Sequence, residues 1–396
     1  MFSSTKTATG NSEVATASIK SVPLIKPDLP AFEDVAAPFR EILANGKITN
    51  FGKYNTVFED EAGRYLGAHA ATTSSGTMGM ILVLKALGVE PGKKVVIPSF
   101  TFMATAQAVL YAGAVPVFAE IGDDLNLCPD DLDALLAKHH PDVTAVVPVH
   151  MYGLPARVAR IQEVVDHHAT RRGRPIRVIY DAAHAFGSAI GGRKVGTFGD
   201  AEVFSLSVTK TLVSVEGGMM VSRNPDLMGR VKKLRNYGIE ANYDAFFQGL
   251  NGKMSEFHAI IGLHNLRRID SIMALRQELA RYFTFRVREQ CRSLVLPSPE
   301  GIAHTFKDFT VVLPEELAPR REALMARLKD RGIETRAYFY PPVHEQHYFR
   351  SYADRPLPKT EALARRVLTL PFYTRITTEE IDYLVDALAE TEWSVA

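Results

Sequence analysis

The sequence contains few residues that could cross-link the chain or hold a metal. Its 396 residues include two cysteines, Cys128 and Cys291, and neither belongs to a CxxC pair. This excludes a disulfide framework and a thiolate zinc site, agrees with a reducing compartment, and leaves both cysteines as packing residues. We predict no metal site, because the two histidines of HEQH, His344 and His347, lack both a third ligand and the HExxH spacing.

Concentrated charge and an N-terminal targeting signal are also missing. Lys and Arg number 46 against 45 Asp and Glu, a formal net charge of +1, and no block of five like charges occurs. We therefore predict no nucleic-acid partner. The first twenty residues lack both the apolar segment of a secretion signal and the arginines of a transit peptide. We expect a cytoplasmic protein without membrane association, with a disordered tail over residues 1–24.

From Ala70 onward, short apolar strands alternate with helical stretches. Strands are predicted at Lys94–Pro98, Val115–Ile121, Thr144–Val149 and Arg177–Asp181, and helices at Met103–Tyr111, Pro129–Lys138 and Val158–His168. This alternation indicates an α/β fold with a mainly parallel sheet covered on both faces, whose ligands bind beyond the carboxyl ends of the strands.

The last part of the chain shows a different pattern. A long helical run is predicted over Ser255–Arg286, followed by a strand at Phe309–Leu313 and helices at Glu315–Arg331 and from Thr378. We therefore predict a large domain over residues 25–270 and a smaller C-terminal α+β domain over residues 271–396.

One lysine, Lys210, lies between two strand-like apolar segments, Val203–Val208 and Met219–Val221. An amine among apolar neighbours loses hydration, so its neutral, nucleophilic form becomes accessible near neutral pH. Formation of a Schiff base with an aldehyde requires that form. Because a lysine taken alone is more often a solvated turn residue, this hypothesis depends on the rest of the sequence.

Three further segments contain residues suited to holding a planar, phosphorylated ligand. Ser74-Ser75-Gly76-Thr77 precedes an apolar helix that is predicted to end at Gly88, and the start of a helix can bind a phosphate. Asp181 follows an apolar strand, where its carboxylate could hold a protonated ring nitrogen, with His184 nearby. Phe102 follows another strand and could stack on a ring. Taken alone, each of these features also fits a helix cap or a core residue. Neither a Walker motif nor a GxGxxG segment after a strand occurs, which excludes the commoner nucleotide-binding sites.

In this order, the segments resemble the pyridoxal-phosphate (PLP) enzymes of fold type I, and within them the sugar aminotransferases of the DegT/StrS type. The resemblance extends from about Ile48 to the C-terminus. It rests on SSGTMGM, PSFTFMATAQAV, VPVHMYGLPA, YDAAHAFG, FSLSVTK, VEGGMMVS, GLNGKMSEFHAIIGLHNL, YFYPPVHEQHYF and LTLPFY. It implies the PLP cofactor and a homodimer with shared active sites.

The resemblance also implies a role for each matching residue. Lys210 would be the Schiff-base lysine, Asp181 the partner of the pyridine nitrogen, and His184 a ligand of the ring hydroxyl. The other implied cofactor contacts are Ser75, Gly76, Thr77 and Ser205 at the phosphate, Phe102 on the ring, and Asn251 at the phosphate of the neighbouring subunit. The implied substrate contacts are His344, Tyr152 and Ser207, the last at a position where relatives often carry histidine.

The implied reaction transfers an amino group from L-glutamate to a nucleotide-linked keto sugar. A 4-keto-6-deoxyhexose, giving a 4-amino-4,6-dideoxy sugar nucleotide, matches the NGKM and DAAHAFG segments best, with a 3-keto sugar or a cyclitol ketone as the alternatives. A related dehydratase would carry histidine in place of Lys210, and a cysteine desulfurase would need a cysteine on a mobile loop. A non-catalytic ligand sensor with this fold would not need Lys210 and Asp181 together.

Overall fold

The structure is a computed structural model that describes residues 21–49, 51–139, 141–297 and 302–395. Its strands are β1 His69–Thr73, β2 Lys94–Pro98, β3 Val115–Ala119, β4 Val143–Val146, β5 Arg177–Asp181, β6 Ala189–Ile190, β7 Arg193–Lys194, β8 Ala201–Ser205, β9 Gly218–Ser222, β10 Ile239–Ala241, β11 Asp244–Ala245, β12 Phe309–Val312 and β13 Val367–Leu370.

The α-helices are α1 Phe32–Asn45, α2 Lys53–Leu66, α3 Gly76–Ala86, α4 Ala104–Tyr111, α5 Pro129–Lys138, α6 Val158–Arg172, α7 Pro225–Leu234, α8 Glu256–Leu266, α9 Ile269–Gln290, α10 Arg321–Asp330, α11 Pro358–Ala364 and α12 Thr378–Val395. Short 3-10 helices lie at Met151–Gly153, Glu315–Arg320, Val343–Glu345 and Arg350–Tyr352. Among the described residues, no helix combines the length and the apolar composition needed to cross a membrane.

The central sheet has the strand order β1-β9-β8-β5-β4-β2-β3. Strands β8, β5, β4, β2 and β3 pair in parallel, whereas β9 is antiparallel to both β8 and β1. The parallel strands are short, apolar and buried, as expected for a sheet covered by helices on both faces. The predicted α/β fold with a mainly parallel sheet is confirmed.

Helix α2 begins after Gly52 and ends before Gly67, which adopts a left-handed conformation with φ of 73°. Its buried residues Phe58, Ala62 and Leu66 recur at the helical spacing of four and join the apolar cluster beneath β8 and β9. The helix therefore packs against the sheet that positions Lys210.

The C-terminal segments form a second apolar cluster around helices α9, α10 and α12 and the antiparallel pair β12 and β13. Phe283 of α9 stacks on Phe309 of β12, with ring centres 3.9 Å apart. The proposed division near residue 270 falls at the start of α9 and stays a prediction.

Three local expectations need correction. The helix predicted over Glu315–Arg331 is a 3-10 helix containing Pro319 followed by α10, because proline cannot donate the hydrogen bond of a continuous α-helix. The helical run predicted over Ser255–Arg286 is two helices, α8 and α9, with a break at Arg267–Arg268. Strand β8 ends at Ser205 rather than at Val208, the end of the predicted strand-like segment, so Lys210 lies further along in the following loop.

The predicted N-terminal tail extends too far along the chain. Residues 1–20 lie outside the described residues, but Val22 is fully buried. Its amide donates to the carbonyl of Gly332, and its own carbonyl accepts from the amide of Glu334. Val22 and the buried Leu24 are too few to form a periodic pattern, so only their distant partners show that this stretch is part of the core.

Candidate active site

A cavity of about 370 Å³ lies at the carboxyl ends of β5 and β8. This is the edge where ligands of parallel α/β sheets bind, and the volume is within the usual range for a small-molecule site. Most of the residues assigned from the sequence line this one cavity, namely Ser75, Gly76, Thr77, Phe102, Asp181, His184, Ser205, Ser207 and Lys210.

Lys210 lies in the loop between β8 and β9, and its amide donates to the carbonyl of Ser207 at 2.9 Å. Burial, and to a smaller extent the nearby positive charge of Lys307, lower the pKa of the Lys210 ammonium from 10.5 to about 7. Asp308, Asp181 and Glu216 act in the opposite direction. The neutral amine is therefore well populated at neutral pH, as a nucleophilic lysine requires.

Asp181 ends β5, and both of its carboxylate oxygens are held in place. The hydroxyl of Thr105 donates to Oδ2 at 2.8 Å, and the amide of Ala183 donates to Oδ1 at 3.1 Å. Because each carboxylate oxygen has two lone pairs, the group can still accept a hydrogen bond from a ring N–H in the cavity. These contacts orient the carboxylate for that role.

His184 is buried beside Asp181 and is neutral. Burial holds the pKa of its imidazole well below the usual value, and the charges of Lys210 and Lys307 act in the same direction. The amide of Tyr152 donates to Nδ1 at 3.2 Å, so the ring proton lies on Nε2. His184 therefore offers one N–H donor, which suits a ring oxygen.

The start of α3 forms a tight cradle. Ser75 caps the helix by accepting from the amide of Met78 at 3.1 Å. The amides at the first helical positions, Gly76 and Thr77, have no partner within a regular helix. A Cβ atom on Gly218 would lie 2.6 Å from the carbonyl carbon of Ser75, and one on Gly76 would lie 3.1 Å from Cβ of Ser205. Only glycine allows β8 and β9 to approach the helix start this closely, which suits a phosphate.

Phe102 completes the wall of the cavity. Its side chain is 52% exposed, unlike the core aromatic residues, and its ring centre lies 6.0 Å from that of Phe339. A ring face of this kind is available for stacking. Together, the phosphate cradle, the oriented carboxylate, the neutral lysine and the open aromatic face fit a phosphorylated pyridine aldehyde.

Three residues assigned from the sequence lie outside this cavity. Tyr152 is buried, donates its hydroxyl proton to the carbonyl of Tyr338, and lines a separate cavity of about 560 Å³ in the C-terminal part. Its amide still contacts His184. Asn251 is exposed and forms a β-bridge with Asn236.

The third such residue, His344, is 6% exposed, and both of its ring nitrogens face protein groups. Nδ1 lies 2.6 Å from Oγ of Ser99, and Nε2 lies 3.3 Å from the carboxylate of Glu361. Possible ligand atoms of His344, Glu345 and Glu361 lie within 4.8 Å of one another. The structure thus places His344 between Ser99 and Glu361, away from the residues that line the cofactor cavity.

Sequence reasoning missed several lining residues, among them Thr105, Glu216, Lys307, Tyr338 and Phe339. Thr105 lies in PSFTFMATA, one turn after Phe102, so a helical reading of that segment could have indicated it. Lys307 and Phe339 come from the C-terminal part of the chain, and no local pattern connects them with Asp181.

Comparison with known proteins agrees with this site. Residues 32–389 match the model of the DegT/DnrJ/EryC1/StrS aminotransferase family. The chain is 30% identical to a GDP-perosamine synthase of Vibrio cholerae, over 93% of this chain and 98% of that protein. It is 34% identical to a UDP-N-acetyl-3-dehydro-alpha-D-glucosamine 3-aminotransferase of Acidithiobacillus ferrooxidans, over 90% and 95% of the two chains.

The fold agrees as well. A crystal structure of DesI, determined in the presence of its TDP-sugar product, superposes with a TM-score of 0.86, at 31% identity and over 95% of each chain. The match covers both the central sheet and the C-terminal part. This chain therefore belongs to the DegT/DnrJ/EryC1/StrS aminotransferase family and is a PLP-dependent aminotransferase.

Proposed function

We propose that this enzyme transfers the amino group of L-glutamate to a nucleotide-linked 4-keto-6-deoxyhexose, giving a 4-amino-4,6-dideoxy sugar nucleotide. The observation that carries the proposal is the placement of Lys210 and Asp181 on one cavity with the phosphate cradle of α3. Relatives that act on nucleotide sugars support the substrate class, and the GDP-perosamine synthase of Vibrio cholerae supports a 4-amino product.

The residues have distinct tasks in this reaction. Bound PLP supplies an aldehyde carbon that bonds an amine and a ring that accepts electrons from the reacting carbon. Asp181 would hold the proton of the pyridine nitrogen, and Nε2–H of His184 would donate to the ring oxygen. Gly76, Thr77 and Ser205 would hold the phosphate. Nζ of Lys210, whose pKa is lowered to about 7, would bond the aldehyde carbon with loss of water, and once a substrate amine had displaced it, Nζ would carry a proton between the reacting carbons.

Amination at carbon 3 is the second candidate. The relative of Acidithiobacillus ferrooxidans is named as a 3-aminotransferase, and its identity of 34% is no lower than that of the perosamine synthase. Either product could be formed with the same cofactor site. The regiochemistry therefore depends on how the sugar lies against residues such as Ser207.

A panel of substrates tests the proposal. Purified enzyme is incubated with L-glutamate and nucleotide-linked 3-keto and 4-keto sugars, and NMR locates the new amine. We expect product from a 4-keto-6-deoxy sugar with nitrogen on carbon 4. An amine on carbon 3 would replace the proposal by the second candidate, and no product from any keto sugar would reject the substrate class.

We also propose a homodimer in which Asn251 reaches the phosphate in the partner's site. The segment that carries Asn251 is anchored in its own chain, because the amide of Gly252 donates to the carbonyl of Arg235. The preceding hairpin exposes Tyr243 and Phe246, at 95% and 59% of their surfaces. Clustered exposed aromatic residues are typical of protein interfaces and support this assembly.

Mixed dimers test the shared site. Lys210→Met and Asn251→Ala should each impair both sites of a homodimer. In a heterodimer of these variants, one site has intact Lys210 and intact Asn251. Random exchange makes half of the dimers mixed, each with one good site of two, so recovery of about a quarter of wild-type activity follows from two-fold symmetry.

The matched control mixes Lys210→Met with Asp181→Asn. Both residues belong to the same chain's cavity, so every site keeps a defect and no activity should return. If heterodimers of Lys210→Met and Asn251→Ala form and show no more activity than the unmixed variants, Asn251 acts within its own chain.

A further inference from the structure

The cavity contains a second lysine, Lys307, which the reaction described above does not use. Its side chain is 5% exposed, and its ammonium lies 2.6 Å from the carboxylate of Asp308. The amide of Lys307 donates to the carbonyl of Tyr152 at 2.9 Å, which fixes the backbone. The ring centre of Tyr338 lies 5.6 Å from the ammonium. Lys307 is thus held at one place on the wall of the catalytic cavity.

The charges of the cavity give this lysine a special position. Among the described residues that line it, the basic side chains are Lys210, Lys307 and neutral His184, and the acidic ones are Asp181 and Glu216. Lys210 reacts as a neutral amine, so it cannot serve as a lasting counterion. Lys307 is the remaining basic group that can meet a negatively charged part of a substrate.

We propose that Lys307 binds a carboxylate of the amino donor and selects amino acids for the first half of the reaction. This inference rests on the proposed function, because it takes the donor to be an amino acid. When the nucleotide-linked sugar occupies the cavity, the ammonium of Lys307 would remain paired with Asp308. Lys307 is therefore a donor-specificity residue.

The pairing with Asp308 suits a cavity that receives two unlike substrates in turn. A donor carboxylate that enters the enclosed cavity needs a cationic partner, which Lys307 supplies. A neutral sugar ring supplies no negative charge, so without Asp308 the buried ammonium of Lys307 would be unpaired and poorly solvated. Asp308 supplies a counterion when the sugar is bound. The ammonium of Lys307 has three N–H groups. Among the described residues, Asp308 is the one group that accepts a hydrogen bond from it. N–H groups therefore remain to bind a second carboxylate.

A role through Lys210 is the competing explanation. The positive charge of Lys307 helps to lower the pKa of Lys210. If Lys307 acted only by lowering the pKa of Lys210, removing Lys307 would alter the rates and pH profiles of both half-reactions. It would leave the binding of carboxylates unchanged. The two explanations therefore differ in a binding experiment.

Glutarate is a suitable probe, since it carries the carboxylates of a dicarboxylic donor without the amino group. Binding to the full-length, PLP-loaded enzyme is measured by calorimetry for wild type, Lys307→Met and Lys307→Arg. Loss of one charge-assisted hydrogen bond predicts a dissociation constant about 10- to 100-fold larger in Lys307→Met. Lys307→Arg keeps the charge and should stay within about fivefold of wild type. Unchanged binding in Lys307→Met would overturn the proposal.

The two half-reactions provide a second readout. In Lys307→Met we expect the KM for L-glutamate to rise by a similar factor, while the KM for the keto sugar changes less than about twofold. Equal effects on both half-reactions, with shifted pH profiles and normal glutarate binding, would show that Lys307 acts only through Lys210.

Lys307→Met leaves the buried carboxylate of Asp308 without its cation, which destabilises the fold. The double variant Lys307→Met/Asp308→Asn removes both charges and should fold while losing the same glutarate affinity. Wild-type affinity in the double variant would reject the proposal. Because glutarate binding involves no sugar, failure of every keto sugar as acceptor would refute the proposed function and leave this result intact.

Discussion

Lys210→Met is expected to reduce transamination by at least about 10⁴-fold, because it removes both the nucleophile and the group that moves the proton, and general acid–base catalysis alone contributes up to that factor. Methionine has a similar length and no charge, so it suits a site where burial already disfavours the ammonium. Single-turnover assays with L-glutamate measure the loss. Activity within tenfold of wild type would contradict the assignment.

Chemical labelling tests the same residue without relying on activity. Borohydride treatment of the PLP-loaded enzyme should attach the pyridoxal group to Lys210, as peptide mapping would show. In the cofactor-free protein, acylation of Lys210 should be half-maximal near pH 7, because burial lowers its pKa to about 7. An adduct on another lysine would reject the assignment.

Lys194→Met is the matched control for this experiment. Burial also lowers the pKa of Lys194, and its ammonium donates to the carbonyl of Tyr65 at 3.0 Å. Lys194 lies in β7, away from the residues that line the cavity. The Lys194→Met variant should keep its activity within about twofold of wild type, and borohydride should still attach the pyridoxal group to Lys210.

Asp181→Asn is expected to lower kcat by about 10² to 10³, the usual loss when a group that stabilises developing charge is removed. Asparagine keeps the contact with Thr105 but cannot balance the charge of a protonated ring nitrogen. PLP affinity should fall only about tenfold, since the phosphate and stacking contacts remain. Cofactor titration and single-turnover rates separate the two effects, and near-normal turnover would contradict the role.

The same substitution at Asp200 is the control. Asp200 lies at the opposite end of β5 and β8, where its carboxylate accepts from Arg177 and from the amide of Val178. Asp200→Asn should weaken those contacts and lower the unfolding temperature slightly, with little change in kcat. A large loss of kcat in both variants would indicate a general effect on the sheet.

Features that depend on neighbouring residues could be predicted from the sequence. The strand Arg177–Asp181 and the start of α3 at Gly76 follow from apolar runs and turn residues within a few positions. Because parallel strands end at one edge, the strand pattern also predicted a ligand site beyond their carboxyl ends, where Asp181 lies. The order of the motifs then indicated the family and the cofactor.

Features that depend on distant segments were decided only by the tertiary structure. Lys307 reaches the cavity from the C-terminal part, His344 turns its ring towards Ser99 and Glu361, and Val22 pairs with Ile333. The depressed pKa of Lys210 depends on burial by all the segments around it. Local patterns record propensity and periodicity, whereas desolvation and charge pairing depend on which remote atoms the fold brings within a few ångströms.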